Sequence, residues 1–445
     1  MKQPCFHPNH HFAPARNWCN DPNGLLYHDG IYELYYQYNP NGITWDDMHW
    51  GHARSEDLVH WEEEPVALAP DEDGTMFSGC GIRNDRGLLG LPKDALVYYY
   101  TAAGGTTEES KGRTFTVRLA YSLDGGMTLK KTHAVVTEPL ARENRDPKVF
   151  WHEGSHAYIM VLYLEGHDFG IFRSTDLLHF TLTQRITLDG GFECPDLFEL
   201  PVRNDAAAGT KWVFWAADGS YYLGAFDGFA FRQTQERRLA YADGMRSPAY
   251  AAQSWSGLSD GTVRQIAWLR GGNVGGVVTH CMTYPRDLFL MKVPGKFAGD
   301  PDEFHLGMEL PECIEENFRL MGELRVAGGE VPISDGTVKL NIQAESDFSL
   351  VLMGRSGKTI LSLDYQAARG FLLYGIDKSR QIMDLRSAEN LEILYDRGIF
   401  ELFAEQNLTV LVADFAEERG EIPEKVCLLS GEHIDVQVSL LPEKE

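Results

Sequence analysis

The chain has 445 residues, 43% of them hydrophobic and 24% charged, with a formal net charge of −25. That length predicts two domains rather than one core. The acidic surplus excludes nucleic acid and an anionic membrane surface as partners, because no basic excess exists to neutralise phosphates.

No apolar run approaches the roughly 18 residues of a membrane span. The start, Met1-Lys2-Gln3-Pro4-Cys5, lacks the apolar stretch of a signal peptide. Seven scattered cysteines without C-x-x-C pairs fit a reduced protein, so a cytoplasmic setting is expected. His7, His10 and His11 lack the spacing of a metal site and are expected at the surface or on a pocket rim.

Residues 1–295 carry short runs rich in Tyr, Phe, Trp, Val and Thr, separated by Gly, Asp and Asn turns. Ile31 to Tyr38, Ala95 to Thr101 and Ala157 to Leu164 are examples, and long helical periodicity is absent, which predicts an all-β region. Ser55-Glu56-Asp57-Leu58-Val59-His60-Trp61 returns as Ser174-Thr175-Asp176-Leu177-Leu178-His179-Phe180, with looser echoes at Asp124 and Asp227. Repeats at this period, with several strands each, predict propeller blades. Five modules result, near 18–61, 77–130, 146–180, 193–231 and 250–290; His60 and His179 belong to the repeated turn and are expected to be structural. Residues 296–320, rich in Pro, Gly and acids, are predicted to be a linker with one short helix. From 321 to 445 alternating strands resume at the spacing of a β-sandwich, with no catalytic cluster.

Three acidic motifs stand out: Asn20-Asp21-Pro22-Asn23-Gly24, Arg145-Asp146-Pro147-Lys148 and Glu193-Cys194-Pro195-Asp196. Proline confines each to a strand start or an exposed edge and biases the preceding residue toward extended backbone. Three carboxylates converging on one cavity suit glycoside hydrolysis, in which one carboxyl group is protonated and one ionised. Amide donors around Asp21 should keep it ionised, as a nucleophile requires. Phe192 and Cys194 suggest an apolar setting for Glu193 that raises its pKa, as a general acid requires, while Arg145 should hold Asp146 ionised. Cys194 has no local histidine base, so packing or a rim position is its expected role.

At these residues the chain resembles glycoside hydrolase family 32, the β-fructofuranosidases that include invertases, sucrose-6-phosphate hydrolases, levanases and exo-inulinases. The likeness runs from His11-Phe12 through Trp18 to Gly24, Tyr36 to Pro40, Trp45, Met48 to His52 and Phe77-Ser78-Gly79. It continues through the Asp146 and Glu193 motifs to Tyr284-Pro285-Arg286-Asp287-Leu288. The resemblance implies a five-bladed β-propeller followed by a β-sandwich. It implies Asp21 as nucleophile, Glu193 as acid/base and Asp146 as transition-state stabiliser, with Asn20, Gln37, Trp45, Phe77, Ser78, Arg145 and Trp268 lining a fructose pocket.

The implied reaction releases terminal β-D-fructose from sucrose, fructo-oligosaccharides or fructans by double displacement, with no metal or cofactor. The chain departs from the family at Cys19, where methionine is frequent, and in the segment Tyr241 to Gln253, which leaves the leaving group open. A dedicated sucrose-6-phosphate hydrolase or a fructosyltransferase is the nearest alternative. More remote are an inverting arabinan- or xylan-cleaving propeller enzyme and a non-catalytic sugar-binding propeller.

Overall fold

The computed structural model describes residues 7–258, 261–271, 278–295, 300–376, 379–415 and 420–443. The described part is all-β, its one α-helix being the single turn Glu312–Glu315. Residues 7–309 form five antiparallel sheets in chain order. Their inner strands are Asn17–His28, Thr75–Arg83, Arg145–His152, Asp196–Pro201 and Ala249–Ser254. Each next strand hydrogen-bonds outward. The first sheet continues with Ile31–Asn39, His49–Ser55 and Glu62–Leu68. The short strand Val278–Thr279 pairs in parallel with Asn17 and Trp18 and ties the fifth module back to the first.

The sheets extend one strand beyond the predicted modules. The outer strands Glu62–Leu68, Lys130–Val135 and Thr181–Thr187 are largely exposed and polar, so they carry almost none of the apolar signal used to find strands. The repeated Ser-x-Asp-Leu segment is the turn that leads into these outer strands. In the first copy Asp57 Oδ1 accepts the N–H groups of Val59 and His60 at 3.0 and 2.8 Å, and His60 Nδ1 lies 2.7 Å from Asp57 Oδ2. Asp176 makes the same three contacts to Leu178 and His179 at 2.9, 2.8 and 2.7 Å. Leu58 and Leu177 share φ 67°, so the sequence repeat is a backbone repeat in which both histidines lock the turn.

Within the stretch expected to be a linker, Glu303–Glu309 is instead a strand. It pairs along its whole length with Arg286–Val293 as the outer strand of the fifth sheet. Residues 296–299 of that stretch lie outside the described residues.

The C-terminal region consists of two six-stranded sheets that share one apolar core, including Leu340, Leu350, Leu363, Ile393, Leu402 and Val436. A second core joins this region to the rest. Leu394, Phe403, Val410 and Leu441 cluster with Trp215, Tyr241, Met282 and Tyr284.

His10 and His11 are not at the surface: both are buried in this junction, at 4% and 3% exposure. His11 lies between Asp396 Oδ2 at 2.9 Å and Glu401 Oε1 at 3.2 Å, and Arg286 donates to Glu401 Oε2 at 2.6 Å. The histidine pattern was misread because its partners lie nearly 400 positions away. Cys19, Cys80, Cys194, Cys313 and Cys427 are free thiols.

Candidate active site

Four of the five inner strands carry an irregularity at the same end, and each delivers a site residue. Asp21 has no cross-strand partner, because Asn20 faces Gln37 while Pro22 already faces Tyr36. Ser78 is likewise the extra residue between the pairs Phe77–Thr101 and Gly79–Tyr100. Asp146 and Pro147 together face the single Leu162, and Ala251 and Ala252 face Ala267. A bulge bends the strand and re-aims the side chain at that point, which is how an acid on a regular strand comes to face a common centre.

The backbone is strained there. Asp146, Glu193, Cys194 and Ala251 have φ of 63°, 51°, 39° and 53°, in the left-handed region. Each costs on the order of 1–3 kcal/mol and persists only where surrounding contacts impose it. Asp146 therefore departs from the extended geometry expected before a proline. Its N–H donates to Thr101 Oγ1 at 3.1 Å and its carboxylate accepts from the Cys194 N–H at 3.1 Å, and these contacts hold the conformation.

The three acids form one connected group. Asp21 accepts from Ser78 Oγ at 2.7 Å and from Asn20 Nδ2 at 3.0 Å. The Cys194 thiol sits between two of the acids, 3.8 Å from Asp21 Oδ2 and 3.5 Å from Asp146 Oδ2. Arg145 donates to Glu193 Oε1 at 2.5 Å, lies 3.8 Å from Asp146 Oδ2 and stacks over the Tyr163 ring at 4.6 Å. Tyr250 donates to the other oxygen of Glu193 at 2.7 Å.

These strand ends are not exposed edges. Asp146 keeps 4% of its side chain accessible and Glu193 23%, and Asp21 is also half-buried, so the acids converge in a recess with Asp146 at its most enclosed point.

Two expectations about charge are overturned. Burial pushes the Asp21 carboxyl up, not down; the donors Ser78 and Asn20 counter the desolvation only in part, and the nearby Glu193 charge adds to the rise. Burial also raises Asp146, against the pull of Arg145, and the Glu193 and Asp21 charges push it further in the same direction. A third correction concerns Glu193. Its neighbours in sequence suggested an apolar setting, yet both of its oxygens are bound by polar groups, Arg145 and Tyr250. The Cys194 thiol is driven well above its ordinary pKa by burial beside carboxylates, which makes it a buried packing group and donor.

The remaining predicted residues surround this group. Trp45 packs edge-on against Phe77 at 5.8 Å, and Phe77 against Phe115 at 5.3 Å. Across the site Trp268 lies 6.0 Å from Tyr250 and 6.3 Å from Trp18, whose indole N–H donates to Asn20 Oδ1 at 2.7 Å. Gln37 is buried behind the acids and donates to the Met76 carbonyl at 2.8 Å. Oriented to satisfy its neighbours, the Asn23 amide accepts from Gln37 Nε2 at 3.1 Å and donates to Ser78 Oγ at 3.2 Å.

All ten predicted residues thus fall in one contact network. Tyr250, Thr101, Phe115 and Tyr163 join them without having been anticipated. Tyr250 lies 57 positions from Glu193, beside the bulge at Ala251 and within the segment Tyr241 to Gln253 that departs from the family, but no local feature pairs it with the acid.

Among the described residues one other group, Asp71, Asp73 and His133, brings three potential metal-ligand atoms together. Lys131 already pairs with Asp71 at 2.7 Å, and Arg113 and Arg118 with Asp73 at 2.8 Å each, so cations on the chain satisfy its charge.

The model of the glycosyl hydrolases family 32 N-terminal domain matches residues 11–301. The chain is 39% identical over 285 residues to the levanase of Bacillus subtilis, a match that covers 59% of this chain and 40% of the levanase. It is 34% identical over 509 residues to an extracellular exo-inulinase of Aspergillus niger, covering 97% and 93% of the two chains. The chain spans 62% of the exo-inulinase from Aspergillus ficuum, so it covers less than two thirds of that relative and of the levanase. Among solved structures, the exo-inulinase of Aspergillus awamori superposes with a TM-score of 0.79 at 26% identity, covering 100% and 99% of the two chains. A fructofuranosidase from Schwanniomyces occidentalis complexed with fructosylnystose gives a TM-score of 0.83 at 22% identity, covering 98% of both chains.

Proposed function

Because the chain belongs to glycosyl hydrolase family 32, we propose that it is a retaining β-fructosidase that releases terminal β-D-fructose from sucrose, fructo-oligosaccharides or fructans. The observation that carries this reading is the single network in which Ser78, Cys194 and Arg145 tie together Asp21, Asp146 and Glu193. The five N-terminal sheets, which end at Glu309, are the blades of a propeller and the two six-stranded sheets, which begin at Arg319, a β-sandwich, joined by the short segment 310–318.

Asp21 attacks C2 of the fructosyl unit while Glu193 protonates the departing glycosidic oxygen. Water then cleaves the fructosyl ester, with Glu193 acting as base. The geometry supports this division of labour. Asp21 is half-buried and its carboxylate accepts from neutral donors, Ser78 and Asn20, so its ionised oxygen is only partly stabilised and is a reactive nucleophile. Glu193 keeps 23% of its side chain accessible, which lets it reach a leaving group and an incoming water. Asp146, the most enclosed of the three acids, hydrogen-bonds the sugar hydroxyls as positive charge develops on the ring. Trp45, Phe77 and Trp268 wall the ring in, and no step calls for a metal.

We also propose a cytoplasmic setting, which the free thiols of Cys19, Cys80, Cys194, Cys313 and Cys427 favour and the extracellular names of several relatives do not.

The test is a panel of sucrose, sucrose 6-phosphate, kestose, inulin and levan, followed by NMR of the fresh product. Release of fructose as its β-anomer is expected from at least one of them. First appearance of the α-anomer, or no fructose from any substrate, overturns the reading.

A further inference from the structure

The largest departure from a simple one-site molecule lies at the other ends of the same strands. Four to six residues beyond Ser78, Asp146, Glu193 and Tyr250, roughly 15 Å along each strand, the inner strands line a separate cavity of about 570 Å³. No catalytic carboxylate lines it. A buried group stands at its inner end: Lys148 Nζ is 3.4 Å from Asp196 Oδ2, and Ser254 Oγ donates to that same oxygen at 2.7 Å.

We propose that this cavity is a second carbohydrate site, taking a neutral mono- or disaccharide. Its volume lies within the range of small-molecule sites. Two half-buried indoles line it: Trp212 offers flat apolar surface to the C–H face of a sugar ring, and Trp151 carries a stacked guanidinium. Its charged lining is balanced: Arg83, Arg86 and Lys148 face Asp85, Asp196 and Glu199. Arg83 pairs with Asp85 at 3.2 Å and Lys148 with Asp196. A balanced set of planar donors and acceptors has no net attraction for an ion, but it matches the mixed donor and acceptor character of hydroxyl groups. Arg86 lies 3.4 Å above the Trp151 ring, and this stacking holds its forked N–H donors in one plane at the mouth. The inference is drawn from this cavity alone and does not depend on the reaction proposed for the other end of the strands.

Calorimetric titration of the Asp21→Asn variant with fructose, glucose and sucrose in turn, each up to about 100 mM, tests it, since millimolar affinity is readable there. The Asp21 substitution prevents turnover. The same titrations are run after adding Arg86→Ala and Glu199→Ala, both exposed positions, and separately after Ser256→Trp, which fills the cavity. The expected result is a saturable component that weakens at least about tenfold in both added variants, while any remaining component shifts less than about twofold. Absence of binding in Asp21→Asn, or binding that both added variants leave unchanged, overturns the proposal. Loss of the other component alone would count against the proposed activity and not against this site.

Discussion

Two buried acid clusters in this molecule behave in opposite ways. At the proposed active site one cation, Arg145, pairs with Glu193 and lies beside Asp146, and both Asp21 and Asp146 are pushed toward the neutral form. At the junction between the N- and C-terminal sheets, Asp396 and Glu401 are at least as deeply buried, with no accessible side-chain surface. They meet two cations, His11 and Arg286, and both carboxyls are driven below their ordinary range. Desolvation opposes charge in both places, so burial does not set the sign. The ratio of cations to carboxylates does. The junction is built to stay charged and hold two regions together. The active site is left short of positive charge, so its acids are reactive and destabilising.

Removing one acid from each cluster sharpens this contrast. Asp21→Ala should lower kcat/KM by about four orders of magnitude or more, as expected for loss of a covalent nucleophile, with circular dichroism and melting temperature preserved. Turnover close to that of the parent protein would break the assignment. Glu401→Gln leaves Arg286 and His11 in a dry interface without their partner, so it should cost roughly 3–5 kcal/mol in urea unfolding. An effect within experimental error would mean that the junction does not depend on its charge balance.

The pH response should separate the clusters next. His11 is raised from 6.5 to about 9 in the folded protein by its hydrogen bonds to Asp396 and Glu401, which outweigh its desolvation. Its contribution to stability is therefore complete below about 6.5 and is lost as pH rises through 9. Asp396 and Glu401 are depressed, so their contribution is present above the ordinary carboxylate range and is lost in acid as pH falls through the depressed values. Melting temperature should fall on both sides of a plateau between about pH 5 and 6.5, and His11→Asn should flatten the alkaline side. An unchanged alkaline slope in that variant would assign it elsewhere.

The smallest effect has the opposite sign. Asp146→Asn removes a carboxylate whose raised pKa works against folding at neutral pH. It should raise stability by about 0.5–2 kcal/mol while abolishing useful activity. A destabilised Asp146→Asn variant would show that the strained φ at this position needs the carboxylate itself.

Much of the site was legible in the sequence because its parts are local. Asn20, Asp21, Arg145, Asp146, Glu193 and the aromatic residues at 45, 77 and 268 sit in motifs whose type and spacing survive without a structure. The five modules were legible through an Asp-Leu turn whose geometry is set within a few residues, from Ser55 to His60 and from Ser174 to His179. The outer strands were missed because exposed strands need no apolar alternation. His10 and His11 were misplaced because Asp396 and Glu401, which bury them, follow more than 380 positions later. Tyr250 was invisible for the same reason.

The sequence by itself determined the all-β character, the repeat and the identity of the acids, since these depend on residue type, short spacing and neighbours along the chain. Tertiary structure alone decided that Asp21 and Asp146 are pushed upward, the bulges at Asp21 and Asp146 and the partners that clasp Glu193. Coulomb energy and desolvation depend on distance through space. The groups that decide them arrive from strands tens to hundreds of residues apart.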